Sequence, residues 1–278
     1  MEPGTENQEL VNGLARELLD AHSRGTVVPV LPSTRGGGLD LATAYDVEAQ
    51  VRRLRRESGR TTVGRKVGFA NKALWRVLKL KTLVWASMYD DTVRYAQGGG
   101  ASLSISPRCS PRIEPEVVFK LKDAPASNDL AGVLAAAEWV AIGFEVVDCV
   151  FEDWKFQPVD FVASLGLHAA LIVGEPRAIR PGDLETITEQ LGAMKVRLSR
   201  DGVLVEEGAG KNSLRSPALC LAELAAAIAA QPGAEPLKAG ELVSTGSLTD
   251  AHPIKAGEQW TVEPDGIDLP PLTLNVHN

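Results

Sequence analysis

Cysteine is scarce in this chain, and the little there is has no pattern. Cys109, Cys149 and Cys220 are scattered without CxxC or zinc-ligand spacing, so neither a disulfide framework nor a structural zinc site is indicated. Cys149 and Cys220 lie in apolar surroundings and read as buried structural thiols. Basic charge is also in deficit: 29 Lys and Arg face 36 Asp and Glu, a formal charge of -7. Nucleic acids and anionic membranes demand a basic footprint, so both are excluded as expected partners, which leaves small molecules or proteins. The opening MEPGTENQEL lacks the basic-then-apolar pattern of a signal peptide, and no apolar run approaches the about 18 residues of a membrane span. The expectation is a cytoplasmic protein. No repeat, low-complexity tail, GxGxxG or P-loop supports a nucleotide-binding reading.

What is present suits a soluble globular chain. Its 278 residues, 44% hydrophobic and 23% charged, suffice for one large domain or two small ones. Residues 1–60 read as a helical segment and 61–278 as a β-rich catalytic body, together one compact unit. A capping box at Thr5 and Gln8 precedes a helical stripe from Leu10 to Leu19, and Leu41 to Glu57 shows a second stripe stopped by Gly59. The run RRLRR at Arg52 to Arg56 reads as a solvated helix face, with an anion site as the alternative. Strands are expected in TTVGRKVGF, RIEPEVVFKL, WVAIGFEVVDCV, HAALIVG, MKVRLSRDGVLVEEG, ELVSTGSL and EQWTVEP, with Asp201-Gly202 as a hairpin turn. Helices are expected over Asp129 to Glu138 and Ser216 to Ala230.

Three segments carry chemistry. In RIEPEVVF, strand alternation puts Arg112, Glu114, Glu116 and Val118 on one face, so two like charges point the same way. Glu145 lies in the very apolar WVAIGFEVVDCV and needs a cation. If these strands adjoin, three carboxylates form an oxygen-only site of the kind Mg²⁺ or Mn²⁺ accepts. The alternative is an Arg112–Glu114 pair, a solvated Glu116 and a Glu145 neutralised by a nearby Lys or Arg. In GRKVGF, Lys66 shares a face with Gly64 and Gly68; the pattern by itself favours a surface lysine on a glycine-rich edge strand over a face open to close approach of an anion. The segment containing Ser244, Thr245, Gly246, Ser247 and Thr249 offers hydroxyls and backbone groups at a strand end, or is simply a turn. Pro115 has no N–H to complete a central ladder, so its strand should be an edge or bulged.

In this order, GRKVGFAN, WASMYDD, RIEPEVVF, GFEVVD and AGELVSTGSLTDAHPIKAGE resemble the 2-keto-4-pentenoate hydratases and 4-oxalocrotonate decarboxylases of the fumarylacetoacetate hydrolase superfamily. The match runs from about Leu39 to the C-terminus. It implies an α+β fold on a rolled, mixed β-sheet with an N-terminal helical segment, assembled as a homo-oligomer. It also implies Glu114, Glu116 and Glu145 as ligands of Mg²⁺ or Mn²⁺, Lys66 near the substrate carboxylate, and Gly246, Ser247 and Thr249 as the substrate loop. Asp90, with Asp91, matches an acidic pair near the pocket. The implied activity is hydration of a 2-hydroxy-dienoate or 2-oxo-enoate, with a 4-oxalocrotonate-type decarboxylase as the alternative, then an acylpyruvate hydrolase, then an inactive binding homologue. Burial and the metal should lower the Lys66 pKa. Two departures stand out. Ser164-Leu165 replaces a polar pair, leaving His168 as a candidate for proton transfer or a core residue, and Ala86 replaces a glycine.

Overall fold

Amphipathic spacing builds the first two helices. The computed structural model describes residues 3–278, with side chains from Glu6 onward. Helix α1 (Pro3–Arg24) buries Val11, Leu14, Ala15, Leu18 and Ala21 along one face. The Thr5 half of the expected capping box lies outside the described side chains. Helix α2 (Leu41–Glu57) starts where Asp40 accepts a 2.8 Å hydrogen bond from the Thr43 amide, and it ends just before Gly59, whose φ is +82°. Its buried face includes Arg52, so RRLRR is not uniformly solvated.

The later helices are α3 (Lys72–Leu78), α4 (Leu130–Ala136), α5 (Pro158–Ala163), α6 (Leu184–Ala193) and α7 (Pro217–Ala230). The strands are β1 (Thr62–Gly68), β2 (Val84–Tyr89), β3 (Val93–Tyr95), β4 (Gly100–Ser104), β5 (Pro111–Leu121), β6 (Ala137–Asp148) and β7 (His168–Val173). They continue with β8 (Arg177–Ala178), β9 (Lys195–Arg200), β10 (Val203–Ala209), β11 (Leu242–Ser247), β12 (His252–Pro253), β13 (Gln259–Asp265) and β14 (Leu272–His277). Asp201 and Gly202, both at positive φ, close the β9–β10 hairpin as Asp-Gly should. Helix α4 stops at Ala136 and β6 follows at once, so Glu138 belongs to a strand instead of the expected helix.

One sheet runs in the order β2, β1, β11, β5, β6, β7, β3, with β12 and β8 attached to β5 and β6. Its pairs are antiparallel except β1 with β11 and β3 with β7. The two ends of this order, β2 and β3, are joined by the turn at 90–92, so the sheet rolls back on itself. A second sheet runs β10, β9, β13, β14, β4. The architecture is the expected α+β fold with a rolled mixed sheet.

The rolled sheet separates two apolar clusters. The larger draws on α1, α2, both sheets and α7. The smaller, Met88, Val118, Ala141, Leu171, Val173 and Leu242, lies on the opposite face, which alternation and register assign also to Lys66, Glu116 and Glu145. Lys66, Glu116 and Glu145 therefore share one face of the rolled sheet. The segment Gly210–Ala230 is apolar and long enough to cross a membrane by length and composition, contrary to the expectation that no such run exists. It is 56% buried within the protein, where α7 packs on β11, α4 and α6.

Strand β5 is central, between β11 and β6, which overturns the edge expectation for Pro115. The irregularity falls on the partner: β11 shifts register between Ser244 and Ser247, and the chain then detours before β12 pairs with Ile113. The missing N–H of Pro115 lies at that detour, while its carbonyl accepts a bond of 2.9 Å from the Leu248 amide. The distortion turns the Gly246 amide toward Glu116.

Candidate active site

Four adjacent strands, β1, β11, β5 and β6, bring Lys66 and three glutamates together. Glu114 and Glu145 are directly opposite in the β5–β6 register, a like-charge pairing that is unfavourable without a cation between. One oxygen from each of Glu114, Glu116 and Glu145 lies within 4.8 Å of the others. Glu116 accepts hydrogen bonds from the Ser244 hydroxyl at 2.5 Å and the Gly246 amide at 2.9 Å. Glu145 is fully buried, with the Lys66 ammonium 2.9 Å from one oxygen and His168 Nδ1 2.9 Å from the other.

Electrostatics shows what this arrangement lacks. Burial and the neighbouring Glu116 charge push Glu114 up to about 8, and burial and the Glu145 charge do the same to Glu116. Burial raises Glu145 as well, against the pull of Lys66. Burial alone would discharge Lys66, but Glu145, Glu114 and Glu116 outweigh it and hold the ammonium above its ordinary range. The expected lowering concerns the metal-bound site, where the ion's own charge opposes that of the glutamates. Three acids share one ammonium, so the cluster is short of positive charge and made only of carboxylate oxygen donors. These residues fit a hard divalent cation.

The glycines flanking Lys66 serve packing more than ligand access. A side chain at Gly64 would meet the Leu242 carbonyl oxygen at 2.1 Å, and one at Gly68 would meet the Phe161 ring at 2.4 Å. Phe161 in turn places its ring centroid 5.0 Å from the Lys66 ammonium. Gly246, at φ +91°, leaves no room for a Cβ beside Ala70. The backbone there is thus free to aim its amide at Glu116.

A cavity of about 410 Å³ opens over the cluster, lined by Lys66, Glu114, Glu116, Gly246, Ser247 and Thr249. Ser247 donates to the Thr249 carbonyl at 2.6 Å. The apolar wall comes from Trp154, Phe156, Phe161, Leu74 and Leu167, and Asn71 and Asn212 add amides. Glu206 and Asp250 also line it, and Glu206 accepts a 2.6 Å bond from His252. Among the described residues lining this cavity, Lys66 is the one cation. The sequence reading missed the aromatic wall and Glu206, because nothing local marks residues that long-range folding delivers.

Asp90 is not brought to the cavity. It is exposed at the end of β2, where it accepts from the Thr61 amide at 3.2 Å, and Asp91 pairs with Arg55 and Arg60. His168 stands behind Glu145 and away from the cavity lining. Its Nδ1 is hydrogen-bonded to Glu145 at 2.9 Å, and its Nε2 lies 2.9 Å from the Thr92 hydroxyl. Burial and the Lys66 charge hold it down to about 3, so it is a neutral ring that orients Glu145. Ser164 is buried and bonded to His22 Nε2 at 2.8 Å, outside the cavity lining. Ala86 is accommodated because position 166 is glycine: a Cβ there would come 2.7 Å from the Ala86 methyl. Arg112 stacks over Trp154 at 4.0 Å, and among the described residues it forms no ion pair with Glu114.

No family model matches the sequence. The 2-hydroxyhexa-2,4-dienoate hydratase of Comamonas testosteroni is 31% identical over 231 residues, 81% of this chain and 82% of the relative. The 4-oxalocrotonate decarboxylase of Pseudomonas putida G7, solved with magnesium and adipate, superposes with a TM-score of 0.85 at 28% identity over 97% of this chain and 98% of its own. A fumarylpyruvate hydrolase from Pseudomonas aeruginosa, solved with Mn²⁺ and pyruvate, shares the fold at a TM-score of 0.57, with 14% identity over 91% of this chain and 96% of its own. The chain therefore belongs to the 2-keto-4-pentenoate hydratase and 4-oxalocrotonate decarboxylase family.

Proposed function

We propose that this protein is a divalent-metal-dependent hydratase of a 2-hydroxy-dienoate or 2-oxo-enoate, with Glu114, Glu116 and Glu145 holding Mg²⁺ or Mn²⁺. When bound, such an ion supplies Lewis-acid stabilisation of negative charge developing on the 2-oxygen of the substrate. Lys66 neutralises the substrate carboxylate and holds a proton at Nζ, its charge sustained by the same glutamates. His168 keeps the Glu145 carboxylate oriented, and Ser244 and the Gly246 amide do so for Glu116. Ser247 lines the substrate cavity with its hydroxyl held on the Thr249 carbonyl, and the aromatic wall excludes water around the tail.

The observation that carries hydration over decarboxylation is the charge of the cavity. A 4-oxalocrotonate carries a second carboxylate, yet the described lining offers no cation beyond Lys66 and adds Glu206 and Asp250. A repelled second carboxylate favours an uncharged tail against the apolar wall. Glu206, buttressed by His252, is placed to orient the water that adds to the conjugated double bond. The test is to supply Mg²⁺-loaded protein with 2-hydroxypenta-2,4-dienoate, 4-oxalocrotonate and an acylpyruvate. Accumulation of a 4-hydroxy-2-oxo acid from the first is expected; release of carbon dioxide from the second as the faster reaction would replace this reading with the decarboxylase.

A further inference from the structure

A second cavity, of about 540 Å³, lies between α2, the start of β1 and the segment leading into β11. Arg65 and Lys66 are successive on β1 and face opposite sides, so the two cavities stand back to back across one strand. Five cations line the second one: Arg52, Arg56, Arg60, Arg65 and Lys238. Two carboxylates, Glu235 and Glu241, face them. This is a concentration of positive charge in a chain whose net charge is -7.

The pairing inside it is unequal. Glu235 is shared by Arg52 at 3.2 Å, Arg56 at 3.8 Å and Lys238 at 2.5 Å. Arg60 leans out to Asp91 at 3.2 Å, and Arg52 has a second, longer contact with Glu48 at 3.7 Å. Arg65 is 1% exposed; its Nη1 donates to Glu241 at 3.1 Å and to the Gly64 carbonyl at 3.2 Å, while its Nε–H and the second oxygen of Glu241 have no partner. An arginine does not shed its proton, so a buried N–H without an acceptor is a standing cost. Thr61 and Thr62 add hydroxyls to the lining. Five cations meet four carboxylates, Glu235, Glu241, Glu48 and Asp91, and the positive charge left over, with guanidinium forks, an ammonium and threonines beside it, matches the recognition of a tetrahedral oxyanion.

We propose that this cavity binds a phosphate-type oxyanion, either free phosphate or the phosphoryl group of a larger molecule, at a site separate from the metal centre. Arg56 and Lys238 are 71% and 57% exposed, so their replacement leaves the core intact. The proposal is tested by calorimetry on the purified protein with inorganic phosphate in one arm and adenosine monophosphate in the other. Saturable binding is expected, weakened about tenfold or more in an Arg56→Ser/Lys238→Ser variant, the loss of one or two charge-assisted contacts. A Glu114→Gln variant, altered only at the metal centre, should bind as the parent does. Tighter binding of the nucleotide assigns the site to a phosphoryl group, and equal or tighter binding of phosphate assigns it to the free ion. The proposal falls if neither arm saturates, if binding survives the double variant, or if Glu114→Gln abolishes it. It also falls if the double variant breaks up an oligomer, which would make the cavity a contact between subunits.

Discussion

Lys66 and Arg65 are neighbours on one strand, both buried, both paired with a glutamate, and they face opposite surroundings. On the Lys66 side, acids exceed cations: Glu114, Glu116 and Glu145 converge on one ammonium. On the Arg65 side, cations exceed acids, with five basic residues around Glu235 and Glu241. Sequence proximity says nothing of this, because alternation sends adjacent residues to opposite faces of a sheet. The surplus sign on each face indicates the sign of the missing partner, a metal cation on one side and an oxyanion on the other.

The largest break in this comparison comes from Glu145, which contacts Lys66 and His168 and has an oxygen within 4.8 Å of the other two carboxylates. Glu145→Gln should lose divalent-ion binding and with it at least about 4 kcal/mol of catalysis, roughly a thousandfold in turnover. Calorimetry with Mn²⁺ and a turnover assay check both, and metal-dependent activity near the parental rate would end the assignment. Lys66→Met should reduce kcat/KM by about 10²–10⁴-fold, the usual range for a group handling a proton. Ion affinity should hold or rise in that variant, because a competing cation is gone; a fall in affinity would mean that Lys66 organises the carboxylates instead of competing for them.

Arg65→Met sharpens the contrast from the other face. It leaves Glu241 without its buried partner and should cost about 3 kcal/mol of stability in denaturant unfolding, with turnover below the unfolding transition unchanged. Equal losses of kcat in the Lys66 and Arg65 variants would erase the functional difference between the two faces.

The smallest effect is one of pH. Glu114 and Glu116 ordinarily titrate near 4.5 and are raised to about 8 in the folded chain. The folded state then binds protons that the unfolded state has released, so metal-free stability from this pair is full below about 4.5 and is lost as pH rises through 8. Protons and the ion compete for the same oxygens, so divalent-ion affinity should climb over that window. Melting curves with and without Mg²⁺ on either side of about 8 read this directly, and an ion-induced stabilisation that shrinks with rising pH would contradict it.

Local pattern made much of this molecule legible. The alternation in RIEPEVVF and the apolar run around Glu145 pointed to carboxylates needing a cation, and Asp201-Gly202 located its hairpin. The limits were equally physical. Helix α4 passes into β6 without a break because Ala136 and Ala137 fit either state. Strands β2, β3, β4 and β14 were not singled out, and Asp90 looked like a site residue although its turn points it to solvent.

By itself the sequence determined which residues must find partners: an acidic pair on one strand face, a glutamate in an apolar strand, a lysine between glycines. Only the tertiary structure decided who those partners are. Register set Glu114 opposite Glu145, and the detour of β11 beside Pro115 aimed the Gly246 amide at Glu116. The packing of α5 brought Phe161 over Lys66, and the fold set α2 on the face to which alternation sends Arg65. Charges are local properties of a chain, but the balance between them depends on distance, and distance is set by the fold.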